Sequence, residues 1–462
     1  MALKTFARPK SSGAVSRRGF LRGSAAATGA MMVLPRGAFA QVEGELLLWL
    51  PGGSDLFCEI QTGLLTDYSA ANGLNPSTTI CGLGQDTEFS LALIGSITAG
   101  NPPDMSLLWD SPVALGSQGA FMALDDMMVG SKISIDTWPA GLLSSCQFRG
   151  QTFGLPVTAG IYTMWYNAEM FESKGIPSDR DSFPKTWAEM RALSKEFTVW
   201  DGDNLVSAGF MPPRVSEAVA IWSALNGGSL FDEANLRYTL DSEQNIEMYQ
   251  FFVDWLDEEY KGDINLIDRS GNFRDGYPDG DTGQGSAFRE GRLAGLQSGS
   301  WLMGDIYGDP APVFERWDLA AHPTGPSGTA SVSGVWPNWF VIPVGSKNPQ
   351  AAFDYLTYLS TDGVVTWYEQ IPDVPTNSQV QAKSPASLVE RRGQEFADDV
   401  TAFLATQAAI VTPMWNSPTQ SFSNDQIARA LEKIYTKSAT PAEALAEAQA
   451  ASQAELERVL AG

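Results

Sequence analysis

"GELLLWLPGGSDLFCEIQTGLLTDYSAANG", Gly44 to Gly73, holds the two periodicities that assign a fold class to this chain of 462 residues. The apolar run Leu46–Leu50 is stopped by Pro51-Gly52-Gly53 and reads as an opening strand, because proline and paired glycines continue neither a helix nor a ladder. From Ser54 onward apolar residues return near every 3.6 positions until Gly73, which is an amphipathic helix with a glycine stop. The order then repeats. "STTICGL" (Ser77–Leu83) reads as a second strand, "TEFSLALIGSITAG" (Thr87–Gly100) as a second helix, and "DMSLLWD" (Asp104–Asp110) as a third strand. Such alternation predicts a mainly parallel sheet with helices on both faces. Ligands of such sheets sit outside the carboxyl ends of the strands, here the loops Trp49–Asp55 and Trp109–Pro112.

Further along, "FRGQTFGLPVTAGIYTMWYNAEM" predicts a turn, a short strand and a longer strand, with a helix from about Ala168. Thr186 followed by Glu189 is a capping box opening another helix, and Thr440-Pro441 with Glu443 opens the terminal one. Helices are expected around Glu217–Leu225 and Ser242–Leu256, then a Gly- and Asp-rich loop over Asp263–Gly285. Acids two apart in "DGYPDGDTGQG" (Asp275–Gly285) suit calcium, but the downstream bidentate Glu of an EF-hand is missing, so a solvated turn is the expectation.

The first forty residues carry seven Lys or Arg and no acid. "SRRGFL" (Ser16–Leu21), a small-residue apolar run and a closing "AFA" (Ala38–Ala40) read as a twin-arginine export signal cut before Gln41. The expected location is therefore the periplasm. Without that segment the formal net charge falls from −24 to −31. A surface so acidic repels phosphate backbones and anionic lipid, so nucleic acid is not an expected partner. About 420 mature residues suit two large domains. Cys58, Cys81 and Cys146 permit three pairings, and the sequence does not choose. Their spacing fits no zinc pattern, one histidine (His322) leaves little metal or general-base chemistry, and no cofactor motif is present.

"SGVWPNWFVIPVGSKNP" (Ser333–Pro349) places Trp336 and Trp339 around Pro337 and Asn338, in a segment that Gly334 and Pro337 should keep from being a regular central strand. Trp187 and Trp255 lie on helix stripes and Trp165 in a strand pattern, all three expected in the core. Trp49 and Trp109 end strands, Trp301 follows "GS" in a loop, and Trp222 sits near a helix start.

Several strings together resemble the extracellular solute-binding proteins of ABC importers, the group that includes maltose-binding protein. They are "TAGNPPD" with "LLWD", "FRGQTFGLPV" with "MWYNAEMFESKGI" and "FPKTWAEM", "AFREGRLAGLQSGSW" (Ala287–Trp301), "IPVGSKNPQAAFDYLTYLS", "IPDVPTN" and "TPAEALAEAQAASQAEL". They run in the family's order over nearly the whole mature chain. The resemblance implies an α/β, two-lobed periplasmic binding protein fold of type II, each lobe a mainly parallel sheet flanked by helices, with the ligand cleft at the hinge. It implies lobes of 41–157 plus 321–361 and 158–320 plus 362–462, with crossings near Leu155–Gly160, Leu319–Pro323 and Ser360–Val364. It also places Trp301 and the Gly334–Trp339 stretch at the cleft.

The expected cargo is a neutral mono- or oligosaccharide, delivered by a monomer to membrane permease subunits without any covalent step. Flat indoles cover the C–H patches of a sugar, while side-chain amides and carboxylates bind its hydroxyls. The expected ligand-binding residues are Trp49, Asp55, Trp109, Asp110, Tyr162, Arg214, Trp222, Trp301, Trp336, Asn338, Trp339 and Trp415. Two other readings compete. The same fold could hold a polyamine, a basic amino acid derivative or a short peptide through cation–π contact. A glycoside hydrolase would need paired catalytic carboxylates in recognisable motifs, and none is found.

Overall fold

Leu47–Trp49 (β1), Thr78–Ile80 (β2) and Met105–Leu108 (β3) pair in parallel, with the helices Asp55–Ala71 (α1) and Asp86–Thr98 (α2) between them. The opening alternation is therefore realised as expected. The computed structural model describes residues 45–461 except 53–54, 75–76, 85, 215–217, 275, 277–284, 307–310, 372, 381–382 and 413–414. The segment expected to be an export signal lies outside the described residues, as does nearly all of the Asp275–Gly285 loop.

Beyond β3 the sheet changes character. Leu155–Asn167 (β4) is 13 residues long and almost wholly buried. Gly295–Gly299 (β5), Trp317–Ala320 (β6), Val335–Val341 (β7) and Val374–Pro375 (β8) all pair with it antiparallel. β7 also pairs antiparallel with β3, which joins everything into one eight-stranded sheet. Parallel pairing is thus confined to the first three strands, because every later strand takes its direction from β4.

Two large cores flank this arrangement. One draws on Leu46–Val157 and Trp339–Trp367, the other on Ala159–Val335 and Leu388–Leu456, with Leu142 reaching across. The residues of β4 divide between them: Leu155 and Val157 pack in the first, Ala159, Ile161 and Trp165 in the second. Leu319 and Ala320 remain inside the second core, so the chain returns to the first between Val335 and Trp339, later than the Leu319–Pro323 expected. Val364 and Trp367 still belong to the first core, past the crossing expected at Ser360–Val364.

Local signals account for most elements. Thr186 and Glu189 form the capping box of the helix Trp187–Ser194, and Thr440 and Glu443 bond reciprocally ahead of Pro441–Ala461. The loop expected from Asp263 opens instead as a helix, Ile264–Ser270, because Asp263 caps it and Ile264 and Ile267 are buried. Cys58, in the first turn of α1, is bonded to Cys81 just after β2, while Cys146 is a buried free thiol. Burial pushes the Cys146 thiol well above its ordinary range. No described helix is long and apolar enough to cross a membrane.

Candidate functional site

Position in the sheet decides which tryptophans can meet a ligand. Side chains alternate along a strand, and residues opposite one another in an antiparallel pair share a face. Thr158, Gly160 and Tyr162 of β4 therefore lie on one face. Asn338 and Trp336 of β7 oppose Thr158 and Gly160, and Gly299 of β5 opposes Tyr162. This face runs from the first core to the second over about 13 Å of strand.

Trp301 occupies the second-core end of that face. It follows β5 directly, and Ser300 fixes it by donating its backbone N–H to the Ile161 carbonyl at 3.0 Å and accepting from the Ile161 N–H at 3.2 Å. The six-membered ring of its indole fills the space where side chains at Gly160 and Gly299 would stand. Tyr162 meets it edge-on, with ring centroids 5.1 Å apart. Trp301, Tyr162 and Trp336 are all half-buried, so each keeps part of its ring accessible.

At the first-core end, Asn338 is fully committed. Its carbonyl accepts from Trp109 Nε1 at 3.0 Å, and its amide donates to Thr158 Oγ1 at 2.9 Å and Asp373 Oδ2 at 3.1 Å. Asn338 is buried, and it orients Trp109 rather than reaching toward a ligand. Trp109 itself is half-buried beside Phe57 (6.3 Å between centroids), with half-buried Asp110 following it at the end of β3.

Trp49, Trp222 and Trp339 do not line the face: all three are buried. Trp49 lies on β1, which is buried on both faces. Trp339, next after Asn338, falls by alternation on the opposite side of β7 and packs in the first core, where Nε1 donates to Ser145 Oγ at 2.7 Å. Trp222 is packed in the second core and touches the face only by donating from Nε1 to Gln297 Oε1 at 3.1 Å. The Trp336 segment is a strand after all. Pro337 is tolerated because β3 pairs only with residues 339–341, leaving one side of β7 free of a ladder there. Trp165, Trp187 and Trp255 are buried as expected.

Arg214 is held by both carboxylate oxygens of Asp268, at 2.7 and 2.9 Å, and no described contact brings it to the aromatic face. Asp55 is exposed at the start of α1. Trp415 packs on the second core 6.1 Å from Tyr238, and the next residue, Asn416, crosses to the first core's side by donating to Ser144 O and accepting from Ser111 Oγ.

Sequence reasoning missed Gly160, Gly299, Gln297 and Asp373. Gln297 is half-buried on β5, on the same face as Gly299, and links Trp222 to His322, with 2.9 Å between the glutamine Nε2 and His322 Nε2. Burial lowers His322 to about 4, so the imidazole is neutral and accepts the amide proton. A glycine inside an otherwise apolar strand, as in "TAGIYTMWY", was the one available signal of a close approach. No cluster of His, Cys, Asp or Glu among the described residues is arranged to hold a metal.

A separate cavity of about 1050 Å³ lies against the reverse face of β4, at Ala159 and Ile161, between the segment around β8 and the alanines of the helix Gln394–Ala408. No aromatic residue among the described ones lines it, so it offers none of the flat surfaces found on the other face.

Comparison with known proteins agrees with this architecture. A putative binding protein of Brucella abortus is 22% identical over 335 residues, covering 68% of this chain and 71% of its own. The mannotriose-bound protein CpMnBP1 superposes with a TM-score of 0.71 at 21% identity, covering 89% of this chain and all of its own. The maltotriose-bound maltose/maltodextrin-binding domain MalE of Bdellovibrio bacteriovorus gives 0.67 at 17%, again over 89% of this chain and all of its own. Residues 84–406, well over half of the sequence, match the family described as bacterial extracellular solute-binding protein. The chain belongs to that family.

Proposed function

We propose that this protein captures a neutral mono- or oligosaccharide between two lobes and delivers it to the permease of an ABC importer. The observation that carries the reading is the aromatic face: Trp301, Tyr162 and Trp336 present partly accessible rings on one side of β4 and β7, with Trp109 and Asp110 at its far end. Rings of this kind stack on the apolar patches of a sugar, and Gln297 and Asp110 supply polar partners. The sugars bound by the structurally similar proteins support the same cargo. The polar side chains on this face are amides, hydroxyls and carboxylates, which suits a ligand without negative charge.

The lobes follow the two cores, meeting along β4 and the Trp336–Asn338 segment of β7. Ligand bridging them stabilises the closed arrangement by contacts that the open one lacks, and no covalent step is involved. The basic leader with paired arginines supports export in folded form through the twin-arginine route, with cleavage after Ala40 and release to the periplasm.

Thermal-shift and calorimetric titration with mannotriose and maltotriose tests the reading, since a ligand that binds only the native state raises its melting temperature. Saturable binding of either sugar, lost in Trp301→Ala, is the expected result. Binding of putrescine with no response to any neutral saccharide would replace the sugar by a cation.

A further inference from the structure

Trp301 rests on glycine. A Cβ built on Gly160 would lie 2.0 Å from Trp301 Cε3, and one built on Gly299 would lie 2.1 Å from Trp301 Cζ3. The two glycines come from different strands, and both open on the sheet face that carries Tyr162 and Trp336. The ring settles where two side chains are missing.

We propose that Gly160 and Gly299 are positioning residues for ligand capture: their bare backbone is the seat that fixes the height and tilt of the Trp301 indole. The proposal rests on the reading of Trp301 as a stacking surface. Two paired strands make a stiffer support than any side chain, so the ring loses little freedom when a ligand arrives. The other supports restrain different motions. The Ser300 hydrogen bonds to Ile161 hold the backbone, and Tyr162 closes one edge of the ring. A methyl group at either glycine would push the indole outward by about 1.5 Å, the difference between the built distance and an ordinary carbon–carbon contact. Such a shift narrows the space above the face and tilts the surface that the ligand meets.

The test is a pair of double-mutant cycles: Gly160→Ala and Gly299→Ala, each made alone and in the Trp301→Ala background. Two quantities are read, the melting temperature without ligand and the affinity for mannotriose. The expected result is a melting temperature lowered by several degrees and mannotriose binding weakened at least ten-fold in each single glycine variant, with no further loss from either glycine change once the indole is gone. A changed near-UV circular dichroism in the single variants, absent between the two Trp301→Ala proteins, reports the displaced ring. A glycine variant that fails to fold alone but folds with Trp301→Ala supports the proposal. Equal loss of melting temperature in both backgrounds, or failure to fold in both, overturns it, because the methyl would then be meeting something other than the indole. The melting cycle uses no ligand, so it decides the seat even where wild-type protein ignores mannotriose. That outcome would count against the sugar reading alone.

Discussion

Trp109 and Asn338, 229 positions apart, are joined by a 3.0 Å hydrogen bond from the indole Nε1 to the side-chain carbonyl. The bond ties the end of β3 to the middle of β7, and the same asparagine continues to Thr158 on β4 and to Asp373 before β8. One buried amide therefore aligns three strands and sets the orientation of one ring at the candidate site. Asn338→Ala should cost about 1–3 kcal/mol in stability by leaving buried groups unpaired, and it should also weaken ligand binding by releasing Trp109. Urea unfolding of Asn338→Ala and Trp109→Phe checks this. The double variant should lose less than the sum of the two singles.

The tryptophans should divide into two groups by substitution. Trp336→Ala removes a half-buried ring, so ligand affinity should fall ten-fold or more while the melting temperature of the free protein shifts little. Trp222→Ala and Trp339→Ala empty buried sites and should cost about 3–5 kcal/mol. Thermal unfolding beside calorimetric titration separates the two behaviours. A large stability loss in Trp336→Ala would place that ring in the core instead.

His322 makes stability depend on acidity. Its folded pKa, about 4, lies below the ordinary 6.5, because burial disfavours the imidazolium. Between those values the unfolded chain binds more protons than the folded one. The stability contributed by the neutral ring is thus present above pH 6.5 and is lost as pH falls toward 4. The loss amounts to about 3 kcal/mol at most. Protonation would also turn Nε2 from acceptor to donor against the Gln297 amide. Unfolding curves from pH 7 to 4 should show a smaller acid loss in His322→Gln than in the wild type.

The Cys58–Cys81 bond closes a loop of 23 residues at the start of α1. By loop-closure entropy its removal should cost about 3 kcal/mol, and Cys58→Ser/Cys81→Ser should melt lower by a corresponding amount. Because the bond joins two segments of the first core, the aromatic rings near the second core should be unaffected. Reduction of the native protein should reproduce the loss in melting temperature. Cys146 is buried and should resist alkylation until the chain unfolds.

The βα alternation was legible because each strand near Trp49 and Trp109 is short and the elements are punctuated by Gly or Pro. Capping boxes at Thr186 and Thr440 were equally readable, being local. The burial of Trp49, Trp222 and Trp339 was not. Whether a strand-end ring turns inward depends on which neighbour covers it, and for Trp339 that cover comes from the distant Ser145 segment. Where the chain re-enters the first core was hard to read for a similar reason, since β6 joins the second core by pairing with the distant β4. Pro337 misled because a proline excludes a central strand only where both sides are paired. Gly160 and Gly299 could not be linked to Trp301 from the sequence, since 139 residues separate the two glycines and only the β4–β5 register brings them together.

β4 belongs to both cores along a single unbroken run of backbone, and each core also gathers its residues from two distant stretches of the chain. Neither half can be excised by cutting the polypeptide once. A fragment ending near Val157 would lack the returning β7, and one beginning at Thr158 would leave β7 without β3 and the Trp339–Trp367 stretch without most of its core. The two halves consequently depend on each other to fold, and a lesion in one leaves the other with unpaired backbone.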